Sequence, residues 1–105
     1  MTNRFWQDNP DAPFATLLSI IETHCHPEAW EGAYEQLHRR VSRADLPEAA
    51  RFKHELQQAI SDPALLPEDA LFLAAQYDDG SDEAFLHRLW RDLYGDEPPP
   101  QKAHP

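Results

Sequence analysis

The chain has 105 residues and a formal net charge of −10, from 9 Lys and Arg against 19 Asp and Glu, and 41% of it is hydrophobic. That length suits one compact domain, and the composition supports a core rather than a disordered chain. The acidity argues against a nucleic-acid backbone or an anionic membrane surface as the direct partner, because both require clustered cations.

The first helical period reads Phe14, Leu17, Leu18, Ile21 and Cys25. It predicts a helix that starts after Pro13 and ends by His26, since the residue before Pro27 is pushed out of the helical region. The second reads Trp30, Ala33, Tyr34, Leu37 and Val41, with Pro27 and Glu28 at its start. The third runs from about Pro47 to Ser61 and shows Ala49, Phe52, Leu56, Ala59 and Ile60. Asp45 is its expected N-cap, with Pro47 in the first turn.

The fourth opens Leu66-Pro67-Glu68-Asp69, a proline and two acids that favour a helix N-terminus. Its body, Ala70-Leu71-Phe72-Leu73-Ala74-Ala75, is apolar nearly all round, which predicts the central helix of a bundle, ending near Tyr77. The fifth has Ser81 as N-cap and Asp82 and Glu83 in its first turn. Phe85, Leu86, Leu89, Trp90, Leu93 and Tyr94 form its apolar arc, and Gly95 follows as the expected C-cap. No stretch alternates with the period of a strand. The pattern is that of an all-α protein: a single compact bundle of about five helices over residues 1–97, then a Pro-rich flexible tail over 98–105.

Charge is uneven along the chain. Residues 67–105 carry nine acids against three cations, and so hold most of the excess. Such a field speeds encounter with a basic partner. Cys25 is the only cysteine, which precludes an intrachain disulfide and fits a reducing cytoplasm. Met1 to Asp8 lacks the apolar core of a signal peptide, and no apolar run reaches the length of a membrane span.

The chemical motifs are few. His24-Cys25-His26 places three metal-ligand types in a row, but no second cysteine or spaced His pair completes a zinc set, and Cys25 continues an apolar stripe as a small hydrophobe. No metal is expected. Asp78, Asp79, Asp82 and Glu83 fail the calcium-loop pattern, because Leu86 stands where that pattern needs glutamate. No nucleophile elbow, phosphate-cradling glycine loop or His pair at i, i+4 is present, so neither catalysis nor a cofactor is expected.

A protein interface remains as the reading. Ser81, Asp82 and Glu83 suit helix capping, which leaves Asp78 and Asp79 without a local role. Trp30, Tyr34, Phe52 and Phe85 fall on apolar faces and read as core. Trp90 and Tyr94 lie at the edge of the fifth helix's arc, on the side of Glu83. For Trp90 a core position competes with an interface role. The candidate partner-binding set is therefore Tyr77, Asp78, Asp79, Asp82, Glu83, Trp90 and Tyr94.

Three runs, Leu66-Pro67-Glu68-Asp69-Ala70, Tyr77 through Leu86, and Leu89-Trp90-Arg91-Asp92-Leu93-Tyr94-Gly95, together resemble immunity proteins of bacterial contact-dependent growth inhibition systems. The earlier part of the chain shares only the general helical character. The resemblance implies an all-helical cytoplasmic protein that binds and neutralises a cognate toxin domain, often a nuclease. A nuclease attracts a polyanion, so its active site is basic, and an acidic inhibitor matches that field. Contact residues in that family vary with the toxin, so no specific contact carries over. The alternative is an acidic adaptor or regulatory protein that binds a partner unrelated to toxins.

Overall fold

The computed structural model describes residues 5–9, 11–26, 28–43, 45–66, 70–95 and 97–98. Its elements are α1 (Phe5–Asp8), α2 (Ala15–Cys25), α3 (Ala33–Val41), α4 (Pro47–Ser61), a 3-10 turn (Pro63–Leu65), α5 (Ala70–Ala75) and α6 (Asp82–Tyr94). The protein is an all-α bundle, with no strand among the described residues. None of its helices is long and apolar enough to cross a membrane. The predicted acidic start at Pro67–Asp69, Pro27 ahead of the second helix, and all of the tail beyond Pro98 lie outside the described residues.

The centre of the bundle is α2, which packs against α1, α3, α4 and α5. Leu17, Leu18, Ile20 and Ile21 share one buried cluster with Leu37 of α3, Phe52 and Leu56 of α4, Leu71 of α5, and Leu86 and Leu89 of α6. Burying each such side chain contributes roughly 1.5–3 kcal/mol. The expectation that the fourth predicted helix occupies the centre is therefore corrected. The described part of that segment is α5, and its Phe72 is 48% exposed. Its small residues mark the close-packed side: Ala70, Ala74 and Ala75 are buried with Leu71, while Phe72 projects on the other side.

Helix α1 is an addition to the five expected. It brings Trp6 into the core, where the indole Nε1 donates to Glu22 Oε1 at 3.3 Å. Two helix starts differ from expectation. Helix α3 begins at Ala33 rather than at the expected start by Pro27 and Glu28, because Gly32 adopts the left-handed conformation at φ 83° and breaks the segment. Trp30 is left in the preceding loop, 49% exposed, and is not core. At α4 the N-cap is Leu46, with no side-chain cap; Asp45 pairs with Arg43 at 3.2 Å, and Pro47 takes the first turn as expected.

Helix α2 has no cap side chain of its own, since Phe14 holds the N-cap position at φ 66°. Glu55, buried on α4, supplies the missing acceptor. Its Oε1 accepts from the Leu17 backbone N–H at 2.8 Å, and its Oε2 accepts from Arg51 Nε at 3.2 Å. A carboxylate at a helix N-terminus satisfies an orphan donor and opposes the positive end of the dipole.

Candidate partner-binding surface

The segment between α5 and α6 is shaped by two residues at positive φ, Gln76 at 46° and Gly80 at 93°. Gln76 closes α5, its N–H donating to the Phe72 carbonyl at 2.6 Å. Ser81 then caps α6 as expected, its extended backbone letting Oγ accept from the Ala84 N–H at 3.2 Å. These turns carry Tyr77 back over the bundle. Its ring stacks on Phe85 at 5.1 Å between centroids and meets Phe72 edge-on at 5.5 Å. The result is a graded aromatic ledge: Phe85 is buried, Tyr77 half-buried and Phe72 exposed.

The four carboxylates of the turn have unequal lives. Asp79 is held by Arg88 in a bidentate pair, with Oδ2 accepting from Nε at 2.7 Å and Oδ1 from Nη2 at 3.0 Å. Those bonds, more than the guanidinium charge beside it, hold the Asp79 carboxyl below its ordinary value. Arg88 also lies over the Phe85 ring at 5.2 Å and donates to the Tyr34 hydroxyl at 3.3 Å, which donates to Asp92 at 2.6 Å. Asp79 therefore has a structural role that its sequence context does not reveal. Asp82 accepts from the Tyr77 hydroxyl, which fixes the ledge. Asp78 and Glu83 are exposed.

Seven positions were expected to act together, and the structure divides them. Tyr77, Asp78, Asp79, Asp82 and Glu83 form one surface. Trp90 does not join it: the residue is 2% exposed, and its Nε1 donates to the Glu97 carbonyl at 3.0 Å. Its place is in the core. Tyr94 packs on Trp90 at 4.7 Å and lies under Lys53 Nζ at 5.0 Å. Nine residues separate it from Phe85, roughly 13 Å along the helix axis, so it belongs to the far end of α6. There Gly95 is right-handed, at φ −57°, rather than a left-handed cap. It is small for another reason, since a Cβ would lie 2.7 Å from the Arg91 carbonyl oxygen. The residue that sequence reasoning missed is Phe72, and the alanines at 70, 74 and 75 were its signal.

The His24-Cys25-His26 run is occupied with packing. His24 Nδ1 donates to the Ala33 carbonyl at 2.8 Å, and burial lowers its pKa. His26 Nδ1 accepts from the Glu28 N–H at 3.1 Å. Burial pushes the Cys25 thiol up to about 12, away from the thiolate that metals bind. No group of three or more His, Cys, Asp or Glu among the described residues is placed to hold a metal ion. No protein-family model, curated protein or solved structure matches the chain.

Proposed function

We propose that this chain is an immunity-type inhibitor, without catalysis of its own, that works in the cytoplasm by covering a basic surface of a cognate toxin domain, most simply a nuclease. The observation that carries the reading is the ledge: an exposed phenylalanine beside a half-buried tyrosine, rimmed by Asp78, Asp82 and Glu83, on a chain of net charge −10. An apolar anchor inside a charged rim is the anatomy of a protein interface. The acidic rim would steer a basic partner, and Phe72 would supply contact area. Trp90, being buried, is not part of this interface; Tyr94 would belong only to a footprint that runs the length of α6.

The test is capture from the native host on immobilised chain, followed by an assay of the captured protein with the chain added back. A basic toxin domain, silenced at one-to-one stoichiometry, supports the proposal. A partner that is not a toxin supports the adaptor reading, and a toxin unaffected by excess chain contradicts inhibition.

A further inference from the structure

A cavity of about 580 Å³ opens between the end of α2, the outer face of α3 and the link into α4. It lies within the range of small-molecule sites. Three of the chain's nine cations, Arg39, Arg40 and Arg43, line it against a single carboxylate, Glu48. Asp45, which pairs with Arg43, adds a second carboxylate, so on a protein of net charge −10 this wall carries a surplus of one positive charge, that of Arg39. Trp30 forms another wall, 49% exposed.

The wall is organised by a chain of contacts. His24 takes the Nδ1–H tautomer, because a carbonyl only accepts, and the Ala33 carbonyl lies 2.8 Å away. Its Nε2 lone pair therefore faces Arg40 Nη1, at 3.1 Å. The His24 ring also meets Trp30 edge-on at 5.3 Å, which positions the indole. Arg40 is further held by Glu48, Nε to Oε2 at 3.3 Å. Arg40 is thus a fixed post. Among the described residues Arg43 pairs with Asp45, and both side chains are largely exposed. Arg39 has no ion pair among the described residues.

We propose that this cavity binds an aromatic phosphate monoester of the nucleoside monophosphate class, with the ring on Trp30 and the phosphate between Arg39 and Arg43. The arginine donors argue for phosphate over carboxylate, since a monoester offers three terminal oxygens to the forked N–H groups of Arg39 and Arg43 where a carboxylate offers two. Base stacking on an exposed indole supplies the second contact. The acidity of the rest of the chain repels a phosphate backbone and leaves room for one phosphate.

The probe is adenosine monophosphate, titrated into the full chain and followed by tryptophan emission. Trp6 and Trp90 are 3% and 2% exposed, so Trp30 dominates the response. Adenosine and inorganic phosphate are the separate arms. Saturable binding of the monophosphate is expected, at least about tenfold tighter than either fragment. Arg39→Glu should weaken it by about tenfold, and calorimetry should show a comparable loss for Trp30→Leu, both with unchanged melting temperature; Arg91→Glu, on α6, should leave it unchanged. No saturation, a monophosphate no tighter than free phosphate, or an Arg39→Glu chain that binds like the parent would each overturn the proposal.

Discussion

The turn at residues 77–83 and the arginine-bearing face of α3 are both dense in one sign of charge, but they dispose of it differently. In the turn, Asp79 is neutralised by Arg88 and Asp82 is tied to Tyr77, so two of the four carboxylates hold the chain in shape. On α3, Arg40 is fixed by Glu48 and His24, while Arg39 and, just beyond the helix, Arg43 remain on the surface. Each region spends part of its charge on its own geometry and presents the remainder. The remainder stands beside an exposed aromatic in both cases: Phe72 at the turn and Trp30 at the cavity. What a partner meets is set by this remainder, not by the local count of charged residues.

The largest effect that sharpens the comparison comes from outside both surfaces. Trp90→Ala should cost about 3–5 kcal/mol in urea unfolding, as for a large core side chain. Trp30→Leu should cost under about 0.5 kcal/mol, as for a surface site. Equal costs would mean that the division between core and surface aromatics is wrong. Next is Glu55→Ala, which leaves the Leu17 N–H and Arg51 without their acceptor; a loss of about 2–3 kcal/mol is expected by the same measurement. A change under about 0.5 kcal/mol would remove Glu55 as the cap of α2.

A smaller effect tests whether Asp79 is structural. A double-mutant cycle with Asp79→Asn and Arg88→Gln should give a coupling of about 1 kcal/mol, modest because Arg88 is partly exposed. The sign with pH follows from the lowered folded-state pKa. The contribution is complete above the unfolded value of about 3.9 and is lost as pH falls through the folded one. Asp79→Asn should therefore flatten the stability profile below about pH 4, and an unchanged acid limb would contradict the pairing. The smallest effect belongs to Tyr94, whose buried hydroxyl has no hydrogen-bond partner among the described residues. Tyr94→Phe should be neutral or stabilising by up to about 1 kcal/mol, whereas Tyr34→Phe should destabilise, because it breaks the bonds to Asp92 and Arg88.

Helix starts show what local sequence encodes and what it does not. Ser81 is legible as a cap because its acceptor and its donor lie three residues apart. The cap of α2 is not legible, because Glu55 stands 38 positions from Leu17 and looks like one more surface acid on α4. Asp79 was hidden in the same way, its partner Arg88 being nearly two helical turns into α6 and outside the apolar arc. The helical class followed from apolar periodicity, which is local. The centrality of α2 depends on which helix the others surround, and the apolarity of α5 could not reveal that. Trp30 lost its expected core place through one glycine at positive φ, which ends the periodic segment before the tryptophan reaches it.

The central claim is that the Phe72–Tyr77 ledge and its acidic rim bind a basic partner. The most direct measurement is the association rate and affinity of the captured toxin domain for the parent chain and for Phe72→Ala combined with Asp78→Lys, at low and high salt. The account predicts an affinity loss of at least about tenfold, a slower association and a weaker salt dependence, at unchanged thermal stability. Parent-like affinity and salt dependence in that variant would contradict it.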